Sequence, residues 1–362
     1  DHDLGEFTGE ILGSKLGRVL GVEHGVLNEL ARFYCGVSAP EAGLEACFRH
    51  VHGNSPGSAH VRLRNRGTRN VCENGGVIPG LKLCGIMVAQ RFGGSVATHP
   101  LVLEQLAALA EIPVRYLGWY QADELKAAIP TWDRNLALSK DVLKRRGKKG
   151  LFDLGNAELI LPAAADAQAP LRHAGRYLSE LNQGRFSGLK AQKEQLAMAR
   201  APEDLSKKFR YNQRRELRLL EEAGGVVRPI SDFSAQEIAS MYCDLFLRRW
   251  GFVATGAERM AEVIELLREW LIGSVIFLND APIAIQLVYR VESPEWISVE
   301  YVNGGVDPET RAFSPGSVLS FLNTQSAWEQ AREVGKPLRF SFGRADREYK
   351  DRWCNPVQVL CV

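Results

Sequence analysis

The sequence predicts an α+β fold with mixed central sheets, divided between two units. Three observations predict it. The chain has 362 residues, more than one ordinary core needs, which implies about two domains. After Met87 a glycine-bearing turn, a helix and a strand follow one another as a first α/β unit. Over 200–362 the elements read strand, helix, helix, three strands in a meander, helix, strand.

Composition bounds the function. Apolar residues make 45% and charged residues 24%, as in ordinary globular chains. A net charge of +2 selects no partner, so anion binding must be local, and no DNA partner is expected. No apolar run is long enough to span a membrane. The start, Asp1-His-Asp-Leu-Gly, lacks the basic and apolar blocks of a signal peptide. Seven scattered cysteines without a Cys-x-x-Cys pair point to a reducing, cytoplasmic setting with neither a structural metal nor a redox centre.

Residues 1–86 stand apart. They hold 15 of the 34 glycines, four of the seven cysteines, five of the seven histidines and none of the tryptophans. Val51 to Asn74 carries no sustained period, and 40–50 is the one local helix candidate. His50, His52 and His60 have no carboxylate support for a metal. The segment reads as poorly patterned, either disordered or not native coding sequence, with Met87 at the first well-patterned stretch and Asp1 at the start of the chain.

The first unit and its connector run from 87 to 199. Arg91-Phe-Gly-Gly-Ser-Val-Ala-Thr-His-Pro100 reads as a turn into a helix with Leu101, Leu103, Leu106 and Leu109 on its apolar face. Gly93-Gly94 reads as a structural turn, because no phosphate-loop spelling surrounds it. Val114 to Tyr120 is a strand, Leu125 to Ala137 continues the sheet with a stop at Pro130, and Lys140 to Lys149 is a basic loop. Leu151 to Leu161 is β-like, Ala163 to Pro170 an alanine-rich connector, and Leu171 to Met198 a partly helical bridge.

The second unit, 200–362, opens with a helix on which Lys207, Arg210, Arg214 and Arg218 share one face, while Phe209, Leu217 and Leu220 anchor it. That basic face either binds phosphates of RNA or lipid or is simply solvated. Val226 to Ile230 is a strand, and Ser234-Ala-Gln-Glu237 is a capping box that opens the next helix. Met260, Val263, Ile264, Leu267 and Leu271 form the stripe of another. Ser274 to Leu278, Ile283 to Val291 and Trp296 to Val302 are the meander strands, with an Asn279-Asp280 turn. A helix over 315–334 and a strand over Leu338 to Phe342 close the pattern.

The start of that late helix is a candidate phosphate corner. Ser314 at the N-cap, Pro315 at N1 and Gly316 at N2 leave backbone N–H groups and the positive helix end facing any anion, or form a well-capped helix with no ligand.

The loop Arg311-Ala-Phe-Ser314-Pro-Gly316 resembles the pyrophosphate loop of GNAT acyltransferases, with Ser314 and Pro315 departing from it. The tail Phe340-Ser-Phe-Gly-Arg-Ala-Asp-Arg-Glu-Tyr-Lys-Asp-Arg-Trp353 resembles the Tyr-Lys-x-x-Trp segment of FemABX-like proteins, and Tyr211-Asn212 with Arg214-Arg215 resembles their basic helix. Together with Arg91 to Pro100 and the layout of both units, the sequence most resembles the Mig-14 family of antimicrobial-peptide resistance proteins. The resemblance implies tandem GNAT-like domains, the first degenerate, and an association with the bacterial inner membrane. It implies an acyl or aminoacyl donor, a coenzyme A thioester or aminoacyl-tRNA, held at Arg311, Ser314, Gly316 and Ser317. The acceptor it implies is an anionic lipid or a peptidoglycan precursor.

Acyl transfer asks for a base and for a group that meets the oxyanion. Glu300, on the third meander strand, is either that base or a surface strand residue. Lys350 either holds a carbonyl or phosphate, in one anion site with Gly316, or pairs with Asp346 or Asp351. Tyr349 either protonates a leaving thiolate or packs in the core. The expected function is therefore a cell-envelope acyl- or aminoacyltransferase that raises resistance to antimicrobial peptides. The rival is a non-catalytic protein of the same fold that binds the peptide or the membrane surface.

Overall fold

The computed structural model describes residues 79–121 and 124–362. The helix expected at 40–50 and the coil expected at 51–74 lie outside the described residues.

The chain forms a mixed α+β fold. Its elements are α1 (Pro79–Phe92), α2 (Pro100–Ala110), β1 (Arg115–Gln121), β2 (Glu124–Trp132), β3 (Asn135–Leu136), α3 (Lys140–Arg145), β4 (Ala169–Pro170), β5 (Phe186–Ser187) and β6 (Lys190–Ala199). The second half continues with α4 (Lys207–Glu222), β7 (Gly225–Pro229), α5 (Ala235–Trp250), α6 (Met260–Leu266), β8 (Leu271–Ile272), β9 (Ser274–Leu278), β10 (Ala281–Glu292) and β11 (Ile297–Val306). It ends with α7 (Pro315–Glu333), β12 (Leu338–Arg344) and β13 (Cys354–Cys361).

An eight-stranded sheet organises the molecule in the order β13-β6-β12-β11-β10-β9-β7, with β8 pairing β10. Its pairs are antiparallel except β11 with β12. A smaller sheet, β1-β2-β3, serves the first half.

Local chemistry explains the best-read elements. Ser234 and Glu237 form the expected capping box, so α5 starts where the sequence says. Asn279 and Asp280 both adopt positive φ, 51° and 62°, the geometry of a tight hairpin turn between β9 and β10. Alternation along β10 sends Ile285, Leu287, Tyr289 and Val291 into a core with α2, α5 and α6. It sends Ala284 toward Leu220 of α4 and Val318 and Leu319 of α7 on the other side, and the bulge between Pro282 and Ala284 puts Ile283 there too. Each such large apolar side chain contributes roughly 1.5–3 kcal/mol on burial. Gly305 lets α5 lie directly on β11, since a Cβ there would stand 2.5 Å from the Leu245 Cβ.

Several expectations are corrected. Pro130 does not end a strand; it pairs with Tyr116 inside β2. Leu151 to Leu161 is irregular, touching a strand-like bridge only at Leu159. The basic loop begins with the short helix α3. The bridge read as partly helical ends in the ten-residue strand β6, which lies between β12 and β13. A boundary at 199/200 therefore separates a strand from its own sheet. A boundary at 86/87 falls inside α1, whose Ile86, Met87 and Val88 are buried. The core of α2 (Leu103, Leu106) is continuous with that of α6 (Ile264, Leu267), so the two halves share one interior.

Candidate active site

The parallel pair β11/β12 is short. Ile297, Ser298, Val299 and Glu300 pair with Leu338, Arg339, Phe340 and Ser341, and the ladder stops there. β12 then turns to β6, pairing Ser341 with Met198 and Arg344 with Leu196. β11 bulges at Val302, because Leu287 faces Asn303 while Val288 faces Tyr301. The two strands thus part at Tyr301, and their carboxyl ends open at one edge of the sheet. Parting strands leave backbone groups free for a ligand, which an unbroken ladder would not.

Three elements put polar side chains at that edge. Tyr301 stacks on Phe342, with ring centroids 5.1 Å apart, and Phe342 stacks on Phe340 at 5.0 Å. Arg249, from the last turn of α5, lies beside the Tyr301 and Tyr349 phenols and reaches toward the Gly304 carbonyl at 3.5 Å. Burial raises both phenols above the ordinary tyrosine range, so each stays protonated at neutral pH. Tyr349 stands on a short 3₁₀ turn, Glu348–Arg352, and remains 40% exposed, which gives it access to a ligand.

The helix α7 starts at the same edge, after β11. Ser314 takes φ 48°, ψ 44° and offers no side-chain cap; its carbonyl accepts from the Ser317 and Val318 amides at 2.9 and 3.1 Å. Pro315 has no N–H, so Gly316 supplies the one first-turn amide that bonds no carbonyl among the described residues. Gly316 sits against Val306, at the end of β11, and Arg311 is exposed on the preceding 3₁₀ turn Pro308–Phe313. The corner therefore offers less than a full cradle: one amide, the Ser317 hydroxyl and Arg311.

Two expected residues have other work. Lys350 is buried, and its Nζ donates to the carbonyls of Phe342 at 2.8 Å and Arg344 at 2.7 Å. Asp346 lies 3.8 Å away, the ion pair foreseen as its rival reading. The two carbonyls and Asp346 engage the ammonium, which holds the chain that leaves β12. Glu300 is 2% exposed and accepts the Glu158 amide at 2.7 Å. Burial first, then the neighbouring Glu158 carboxylate, pushes it well above the ordinary carboxylate range. Glu158 is held in turn by Arg339 of β12, with a second contact to Nε at 3.0 Å. A base must reach its proton, and Glu158 covers Glu300 from the side of the first half.

Those contacts belong to a strap, 153–158, that crosses where the strands part. Gly155 lies against the Val302 backbone, where a Cβ would stand 3.3 Å from the carbonyl oxygen, and its φ of 68° favours glycine. Asp153 turns it by accepting the Gly155 amide at 2.9 Å.

The expected basic face lies on α4. Lys207, Arg214 and Arg218 are exposed and make no ion pair among the described residues, while Arg210 is half-buried and donates to the Pro202 carbonyl at 3.2 Å. Sequence reasoning missed Arg249, Tyr301 and Glu158. Asn303-Gly304-Gly305 at a strand end was the available signal for a close approach there. Among the described residues, no three His, Cys, Asp or Glu side chains group to hold a metal, and no helix is long and apolar enough to cross a membrane.

No curated protein matches the chain. Among solved structures it is similar to L-PGS from Bacillus licheniformis, at 14% identity and a TM-score of 0.41 over 76% of this chain and 88% of that one. It is similar to the DUF2156 C-terminal domain of an Agrobacterium fabrum protein, at 14% identity and a TM-score of 0.40 over 77% and 92%. A conserved Bacteroides thetaiotaomicron protein of unknown function gives 14%, 0.39, 72% and 89%. At such values these likenesses carry no argument about activity. The Mig-14 family profile matches residues 99–362, from the N-cap of α2 to the last residue, and the chain belongs to the Mig-14 family.

Proposed function

We propose that the protein is an acyl- or aminoacyltransferase of FemABX-like type that modifies a cell-envelope component and so contributes to resistance to antimicrobial peptides. In this reading the first half is a degenerate GNAT-like partner of the second. The observation that carries it is the parting of β11 and β12 beside the start of α7, with Arg249, Tyr301 and Tyr349 at the opening.

The donor, a coenzyme A thioester or aminoacyl-tRNA, lays its phosphates on the Gly316 amide, Ser317 and Arg311. An amine or hydroxyl of the acceptor, an anionic lipid or a peptidoglycan precursor, attacks the donor carbonyl. A bond forms between the acceptor atom and the acyl carbon, and the carbon–sulfur or carbon–oxygen bond to the donor breaks. Arg249 meets the oxyanion. Tyr349 gives its proton to the leaving atom and is reprotonated by the proton that the acceptor sheds.

A thermal-shift screen with coenzyme A thioesters and aminoacyl-tRNAs tests it, since a ligand that binds only the folded chain raises Tm. The productive donor then labels an envelope lipid or precursor, and Tyr349→Phe lowers that transfer by about 10²-fold while Tm holds. If neither donor class raises Tm nor transfers, the reading fails. The sealing of Glu300 and Lys350 favours one rival, a non-catalytic protein of the same fold that binds antimicrobial peptide directly; a Tm rise with cationic peptide alone selects it.

A further inference from the structure

Large apolar side chains are exposed singly on most of the surface, but not at the end of α5. Leu247 (46% exposed), Trp250 (37%), Phe252 (59%) and Val253 (67%) fall within seven residues of one another. A run of that kind is not explained as scattered surface, because each of these side chains exposed in water forfeits the gain of burial. Gly251, at φ 74°, ends the helix in the left-handed conformation and turns the chain outward. Phe252 packs edge-on against Phe246, with centroids 5.4 Å apart, which fixes the turn while leaving most of the Phe252 ring in solvent.

The rim is cationic. Arg249 lies over the Trp250 ring, 4.6 Å from its centroid, and Arg248 follows Leu247. The loop after α3 abuts the chain just past the tip, since the Gly150 and Leu151 carbonyls lie 3.3 and 3.4 Å from a Cβ placed on Gly256. Lys149 on that loop and Lys144 in the last turn of α3 are exposed and without an ion pair among the described residues, while Arg146 and Lys148 pair with Asp133 and Glu111. Acidic groups face the patch too: Asp244 and Asp307 hold Arg248, and Glu258 follows the turn. Among the described residues, Lys144, Lys149 and Arg249 have no carboxylate partner.

We propose that this tip, Leu247 to Val253, seats the protein on an anionic lipid surface. Phe252 and Val253 enter the headgroup boundary, Trp250 lies at its level, and Lys144 and Lys149 meet lipid phosphates. A tryptophan and apolar chains ringed by cations match a layer that is apolar beneath and negative above. The site edge is the same edge: Arg249 belongs both to the tip and to the Tyr301–Tyr349 opening. The inference rests on the reading that the acceptor is an envelope lipid, and it names the surface that brings the opening to it.

The test is co-sedimentation of the full chain with phosphatidylcholine vesicles, with and without phosphatidylglycerol. Binding should need phosphatidylglycerol and weaken with salt. The double substitution Phe252→Ser with Val253→Ser should keep the wild-type melting temperature and lose about tenfold or more in binding. Lys144→Gln with Lys149→Gln should flatten the salt dependence. Failure of the wild type to bind, binding that ignores phosphatidylglycerol, or an unchanged double variant overturns the docking surface. So does self-association in the absence of lipid that the double variant abolishes, which would give the patch to a second copy of the chain. Transfer to dispersed short-chain phosphatidylglycerol is scored separately. Transfer there without vesicle binding sinks the docking surface alone; vesicle binding with no transfer from any donor sinks the transferase reading alone.

Discussion

At the residue scale, Glu300 shows how burial decides what a carboxyl does. Its pKa is raised by burial and by Glu158, so in the folded chain it keeps its proton at pH values where an unfolded chain has lost it. The sign follows. The folded state binds the extra proton, so this group lowers stability as pH rises from the ordinary carboxylate value, 4.5, toward the raised one. Glu300→Gln keeps an oxygen for the Glu158 amide and removes the titration. Urea midpoints between pH 5 and 8 should therefore fall less in the variant than in the wild type; equal slopes would mean that Glu300 ionises freely. His99 works in the opposite direction. Burial against Trp270 lowers it to about 4, so its share of stability is lost as pH falls from 6.5 toward 4. Lys350→Met leaves the Phe342 and Arg344 carbonyls without their donor and should cost about 1–3 kcal/mol in denaturant melts. The sequence marked Glu300 and Lys350 as candidates because their types and neighbours suit acyl transfer. It could not show what covers them, since Glu158 lies 142 positions from Glu300. The Asp346 pairing of Lys350 was legible because it is local, at i,i+4.

At the element scale, legibility followed the strength of local signals. The capping box and the Asn279-Asp280 turn carry their structure within a few residues, and both formed as read, as did the meander of β9, β10 and β11. Lys190–Ala199 is the counter-case. Its Lys, Gln, Glu, Leu, Met and Ala are good helix formers, yet the segment is a strand, because β12 and β13 give its backbone two ladders that a lone helix lacks. The helix α1 was missed as a continuous element because glycine-rich text precedes it. A chain that starts at Met87 keeps only 87–92 of its 14 residues and loses buried Ile86. It should be less stable than one that starts at Pro79 by roughly 2 kcal/mol or more, which paired denaturant melts would read. Equal midpoints would make the first two turns of α1 dispensable.

At the scale of the whole molecule, the two-unit reading meets a sheet and a core that ignore the division. β6 comes from the first half and pairs with β12 through Met198 and Leu196, and with β13 from Ala199 to Lys190. β13 has no other strand partner in the large sheet. Leu178 of the first half bonds Leu360 of β13, and Leu103 and Leu106 share a core with Ile264 and Leu267. A fragment of residues 200–362 would leave β13 without its ladder, open one edge of β12 and bare the face of α6 that α2 covers. Unpaired edges and exposed apolar area both favour aggregation. That fragment should therefore be insoluble or unfold without cooperativity, although it contains most of the residues at the candidate site. The same continuity predicts that residues 79–362 unfold in one transition, with amide exchange along the β1–β2 ladder of the first half and circular dichroism from the whole chain giving coincident curves. Two separated transitions, with the first-half signal melting alone, would show that the halves are independent domains despite their shared strand.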